Sequence, residues 1–400
     1  MEFEIERVMV NLLADQDNTL AMALRPLDMP DDWNRWVNGD VHVHMNYGGT
    51  YRNTPQRLAM QAAAEDLDVI FNLIVNKEQR VPDMAYFSPA PDAVSNDEVL
   101  ILHAQEYHTS YWGHMGLIGL NSHLLVPDYS AYPATAAASI YPDNATISRL
   151  ARDQGAAVGY VHPFEPPPPD PGSGTPLTNA FPVDVALGLV DYYEVVGFAD
   201  PRTSANVWYG LLNCGLQVAA AGGTDAMANY ASLRGPVGIN RTYAWVPDAS
   251  ADPAERQQQW LAALRGGHTM ATNGPLVSLT VNGSLPGDEL ALDIGGSEVT
   301  YRGVYRSSVP VDHLELIWNG EIVESFDTGA SANSLDIEGT LEIVESGWLA
   351  LRAWSEGAHP LIFDLYPYAT TTPVYIRIGD AIPKSPADAD YFLAWIERIR

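Results

Sequence analysis

Lysine is nearly missing from this chain: Lys77 and Lys384 are the only two in 400 residues. With 21 basic against 50 acidic residues, the formal net charge is −29. A nucleic-acid footprint needs a basic stripe, so neither nucleic acid nor an anionic membrane surface is an expected partner. Cysteine is down to Cys214, which excludes an intramolecular disulfide framework and reads as a small buried hydrophobe. No run of about 18 apolar residues occurs, so no membrane-spanning helix is expected. The opening MEFEIERVMVNLL carries charge throughout and lacks the basic-then-apolar order of a secretory leader, which leads to an expected cytoplasmic location. What the chain does have is 46% apolar residues, enough for a sizeable core, in a length that exceeds one ordinary domain.

Three regions are expected. In 1–36, Phe3, Ile5, Val8, Val10 and Leu12, then Leu20, Met22 and Leu24, alternate around Asp15–Asn18 and predict two short strands packed on the rest. In 37–274, strand-like and helix-like segments take turns. The VHVH strand is followed by Thr54 as N-cap and Pro55 at the first helical position, then by a buried strand over 68–75. Further strands are predicted at 99–102, 115–120, 157–162, 192–196 and 217–221, and helices at 144–154, 206–213 and 252–265. This rhythm predicts parallel strands with crossover helices, with the chemistry gathered at the carboxyl ends of the strands. The proline- and glycine-rich stretch 165–174 is a loop, either a site rim or a plain connection. In 275–400, short alternating runs between Gly, Asn, Ser and Asp turns, with a hairpin signal at Trp318-Asn319-Gly320-Glu321, predict a small β-sandwich.

The chemistry starts at Gly39-Asp40-Val41-His42-Val43-His44. Side chains alternate along a strand, so His42 and His44 share a face, and two adjacent imidazoles can chelate one divalent metal. Eight of the ten histidines lie between 42 and 268. Three further groups join the first: Glu106, His108 and His114 after a strand; His162 at a strand end; and Asp225 after the small-residue turn Gly222-Gly223-Thr224. Mixed nitrogen and oxygen ligands suit Zn²⁺, Mn²⁺ or Fe²⁺ rather than Ca²⁺ or a thiolate site. His103, His123 and His268 read as structural.

These residues resemble the PHP (polymerase and histidinol phosphatase) superfamily of metallohydrolases. The strings GDVHVHMNYGGTYRNTP, QEYHTSYWGHMGLIGL, GYVHPF, DYYEVVGF and GGTDA are similar to its carbaryl-hydrolase-type (CehA/McbA) branch, over about Trp36 to Leu276. The resemblance implies a distorted (β/α)7 barrel followed by the sandwich. It implies a first metal held by His42, His44, Glu106 and Asp225, and a second by Glu106, His114 and His162. The family's third-metal ligands are absent: Gly49, the Val75-Asn76-Lys77-Glu78 segment and Met227 stand where they would lie. Two divalent ions, Zn²⁺ or Mn²⁺ foremost, are therefore expected rather than three.

The resulting expectation is a binuclear hydrolase in which a metal-activated water attacks a small substrate. His108, Lys77, Tyr47 and Arg241 are the candidates for proton transfer or oxyanion stabilisation. The aromatics Tyr47, Tyr51, Tyr107, Tyr111, Trp112 and Trp208 fit a neutral aryl carbamate or carboxylic ester. Two alternatives stand beside this reading. One is a phosphoesterase, of phosphodiesters or phosphotriesters, run by the same metal pair. The other is a non-catalytic binding protein with a degenerate barrel.

Overall fold

The structure, a computed structural model, describes residues 1–75, 83–109, 111–127, 129–130, 134–136, 138–164, 179–230, 234–329 and 333–399. The strand Trp36–His44 is buried along all nine of its residues. On one side it pairs in parallel with Val69–Ile74, which pairs in parallel with Leu100–Thr109. On the other it pairs antiparallel with Arg241–Trp245. Beyond Leu100–Thr109 comes Met115–Ile118, antiparallel to it, and then Ala157–Tyr160, antiparallel in turn. Tyr192–Val196 and Ala219–Gly222 continue in parallel. Six strands thus run one way, and the predicted ligands fall at or just past their carboxyl ends.

A closed (β/α)7 barrel is not the architecture seen. The structure is a mixed α/β arrangement, with a large mixed sheet and few helices. The link 110–114 is too short for the dozen or so residues of a crossover, so Met115–Ile118 returns antiparallel. The sheet also does not stop at residue 274. Arg241–Trp245 pairs with Thr269–Thr272, whose Met270 registers on Thr371 in Tyr368–Thr371. The C-terminal strands therefore extend the same sheet.

Helix Pro55–Ala64 begins as expected, with the Thr54 hydroxyl accepting from Arg57 N and Pro55 in the first turn. Asp143, Asp200 and Asp252 cap Asn144–Asp153, Pro201–Asn213 and Pro253–Arg265 in the same manner. In the C-terminal region, a three-stranded antiparallel sheet, Leu276–Val281, Ser297–Arg306 and Ser334–Ile343, packs against Gly347–Trp354 and its neighbours. Leu279, Tyr301, Leu316 and Leu351 belong to that shared core. A closing helix, Pro386–Ile399, was not anticipated. It buries Phe392 and Trp395, with the Trp395 ring 5.7 Å from Phe164 and its Nε1–H donating to Asn179 O at 3.1 Å.

The two N-terminal strands are not formed. Only a bridge between Phe3 and Pro26 appears, and Met9 is fully exposed. A lone ribbon without a third strand or a packed face is marginal. No helix among the described residues is long and apolar enough to cross a membrane. The proline-rich loop 165–174 lies outside the described residues.

Candidate metal centre

The six predicted ligands converge. His42 Nε2 and His44 Nε2 lie 3.3 Å apart. Asp225 Oδ1 is 3.4 and 3.0 Å from them, and Glu106 Oε2 is 3.5 and 3.0 Å away. Glu106 Oε1 faces the second group, 3.1 Å from His114 Nδ1 and 3.2 Å from His162 Nε2. One carboxylate therefore spans both groups, His42 and His44 on one oxygen, His114 and His162 on the other.

The ring nitrogens show that this donor set fits a metal. His42 Nδ1 is 3.0 Å from Glu194 Oε1, and His44 Nδ1 is 2.8 Å from Leu73 O. Both partners can only accept when the carboxylate is ionised, so each Nδ1 carries the proton and each Nε2 lone pair points into the cluster. Metal–nitrogen bonds of about 2.0–2.1 Å at tetrahedral angles put two nitrogens about 3.3 Å apart, as these are. Asp225 Oδ1 is buried and accepts no hydrogen bond, although His44 Nε2 is near. Without a metal the charges must be balanced by protons. Burial lowers the His42 pKa, but Glu194, Asp225 and Glu106 outweigh it and raise it well above the usual value. Burial likewise pushes Glu106 up, and His108 and His42 overcome this to hold it well below the carboxylate range.

Local backbone holds the set together. Asp40 Oδ1 accepts from His42 N at 3.0 Å and Thr224 N at 2.9 Å, and its Oδ2 accepts from Gly238 N at 2.8 Å. It thereby ties the Asp225 turn to the histidine strand, and burial pushes its carboxyl up to about 6. Asp225 N also donates to His42 O at 2.7 Å. At Gly223 a β-carbon would fall 2.5 Å from Glu194 Oε1 and 2.7 Å from His42 Cβ, so only glycine fits there. His162 and Asp225 both adopt left-handed backbone, at φ 32° and 54°. Such strain costs about 1–3 kcal/mol per residue.

Two charged residues at the cluster were missed from sequence. Glu194 is wholly buried; besides His42 it accepts from His162 N at 2.8 Å. A lone acid in the apolar strand Tyr192–Val196 was its available signal. Arg234 pairs with Asp225 Oδ2 through Nη1, and its guanidinium carbon lies 4.2 Å from the Phe198 ring centre. Nothing in its local sequence distinguished it.

The other candidates divide. His108 stacks on His114, ring centres 3.8 Å apart, with Nε2 2.9 Å from Glu106 Oε2, so it joins the cluster. Tyr47 stands edge-on to His44 at 5.5 Å. Arg241 is not brought there: its donors go to Gly238 O, Asp66 O, Glu65 O and Asn38 Oδ1, and it is a buried structural tie. Lys77 lies outside the described residues. Tyr107 and Trp208 are core residues, 0% exposed. His103 is held between Asp92 and Asn72. Of the absent third-site positions, Gly49 is in an exposed loop and Met227 registers against His44.

No family model and no curated protein sequence matches the chain. Among solved structures it is similar to PsfC from Pseudomonas syringae PB-5123, with 17% identity, a TM-score of 0.38, and coverage of 57% of this chain and 88% of that one. It is also similar to Endonuclease Q in complex with a 27-mer duplex substrate bearing an abasic lesion at the active site, with 14% identity, a TM-score of 0.35, and coverage of 56% of each chain. A third is the lesion-specific endonuclease PfuEndoQ from Pyrococcus furiosus, with 16% identity, a TM-score of 0.34, and coverage of 52% of each. The chain spans about half the length of these two endonucleases. None of the three is described as a carbamate hydrolase. The expectation of no nucleic-acid partner is withdrawn; Endonuclease Q, among these structures, holds a duplex substrate. Net charge averages over the whole surface and does not report on one cleft.

Proposed function

We propose that the chain is a divalent-metal-dependent hydrolase of phosphoester bonds, phosphodiesters foremost. The observation that carries this reading is the meeting of Arg234 with Asp225 at the edge of a five-histidine, two-carboxylate cluster. A guanidinium offers a planar fork of donors that matches phosphate oxygens. A carbamate or carboxylic ester offers the fork a single developing oxyanion, a poorer match than two phosphate oxygens.

In this reading His42, His44, Glu106 and Asp225 hold one ion, and Glu106, His114 and His162 a second. Two ions held there would supply Lewis acidity and an activated water. Glu194 fixes the His42 ring and the His162 backbone together. His108 braces Glu106. Arg234, steadied by Phe198, orients the phosphoryl group, and Tyr47, its ring 5.5 Å from that of His44, is the proposed proton donor to the leaving oxygen. Side-chain exposure gives the direction of approach. His114 and His162 are 28% and 18% exposed against 0–3% for His42, His44 and Asp225, so substrate enters over the second group.

The test is a set of parallel assays with Mn²⁺ or with EDTA. The substrates are bis(p-nitrophenyl) phosphate, p-nitrophenyl phosphate, a duplex oligonucleotide with an abasic site, an aryl N-methylcarbamate and p-nitrophenyl acetate. Metal-dependent cleavage of a phosphoester, with KM raised in Arg234→Ala, is the expected result. Cleavage of the carbamate or acetate alone, or turnover indifferent to EDTA, overturns the reading.

A further inference from the structure

A cavity of about 930 Å³ has no role in the chemistry above. It lies between helix Pro55–Ala64 and the segment that follows Asp225. Ala226 and Met227 form part of its wall. Met227 registers directly on His44 in a parallel pairing, and paired residues present their side chains on one face of a sheet. None of the six ligands lines the groove, and Met227 is its link to the ligand strand. Its far wall, Gly235–Val237, starts one residue after Arg234.

The rim carries three large rings, Tyr51, Tyr230 and Phe363, that are 54%, 45% and 63% exposed. Arg57 stands over Tyr51, its guanidinium carbon 5.6 Å from the ring centre, and donates to the Tyr51 hydroxyl at 2.7 Å. Phe363 comes from the C-terminal region and is presented by a left-handed turn, at φ 58°, so two distant parts of the chain build one rim. Exposed rings with a stacked guanidinium form a platform for flat π-systems, which bind by stacking with little demand for a particular hydrogen-bond pattern. The volume is that of a small-ligand site.

We propose that this groove is the subsite for a planar aromatic group attached to the phosphoester, either a nucleobase or a plain aryl ring. This rests on the phosphoester reading above. Calorimetry on the Mn²⁺-loaded protein measures methyl phosphate, phenyl phosphate and thymidine 5′-phosphate as ligands. Phenyl phosphate and thymidine 5′-phosphate are expected to bind about tenfold or more tightly than methyl phosphate, from stacking alone. Tyr230→Ala and Phe363→Ala, both at exposed positions, are expected to erase that preference while leaving methyl phosphate unchanged. Preference for the thymidine ester over the phenyl ester assigns a nucleobase, and equal binding assigns an aryl group. Equal affinity for all three, or a preference that survives in both variants, overturns the proposal. A preference seen without hydrolysis of any phosphoester overturns the phosphoester reading instead.

Discussion

The two halves of the cluster are built differently. Around His42, His44 and Asp225, burial is essentially complete and each side chain has a second tie: Glu194 behind His42, Leu73 O behind His44, and Arg234 on Asp225. Around His114 and His162 the rings are partly exposed, and Glu106 Oε1 is the principal contact of both. Buried polar groups that are fully tied act as a rigid unit, and a half-open one leaves room for a ligand. The first half reads as the fixed anchor and the second as the working face, with Glu106 shared between them.

The largest effect should come from breaking the anchor. His42→Ala or Asp225→Ala is expected to empty the first position and cut turnover by more than the roughly 10–100-fold that loss of a supporting contact costs. Metal content and kcat measured on the same preparations check this, and a variant with full turnover would remove that residue from the centre. Removing the support while keeping the ligands is the next step down. Glu194→Gln keeps shape but weakens the acceptor behind His42, and a loss of about 10–100-fold in metal affinity is expected by competition with a chelator dye. Unchanged affinity would make Glu194 a packing residue only. On the working face, His114→Ala should lower metal content by one equivalent and leave the anchor loaded; loss of both ions together would show that the halves are not separable.

The smallest effect concerns a buried pair outside the cluster. Tyr160 donates to Asp184 at 2.6 Å, and burial pushes the Asp184 carboxyl up to about 7 against that bond. Unfolded, it returns to about 4. The folded state therefore holds the extra proton, and stability is full below about pH 4 and falls as pH rises towards 7. Asp184→Asn should flatten that part of the stability profile, followed by thermal melts from pH 4 to 8. An unaltered profile would assign the dependence to Asp40 or Asp68, whose carboxyls burial raises in the same direction.

The anchor was legible in the sequence because its residues carry period-two spacing and strand-end positions. His42 and His44 sit two apart on a strand, and Asp225 follows a turn of small residues. The helix Pro55–Ala64 was legible for a similar reason, since Thr54 and Pro55 are local start signals. Glu194 and Arg234 were not: Glu194 shows in the sequence only as a lone acid in an apolar strand, and the roles of both depend on contacts 152 and 9 residues away in the chain. The sheet was misread for a like reason. Apolar runs mark strands but not their direction, so the antiparallel return at Met115–Ile118 and the pairing of Met270 with Thr371 lay beyond periodicity.

Elemental analysis of the purified, metal-reconstituted protein bears most directly on the central claim, that this cluster holds a pair of divalent ions with an anchored and an open position. The account predicts two equivalents in the parent chain, one in His114→Ala, and loss of the anchored ion in His42→Ala. Less than one equivalent in the parent chain, or undiminished content in His42→Ala, would contradict it.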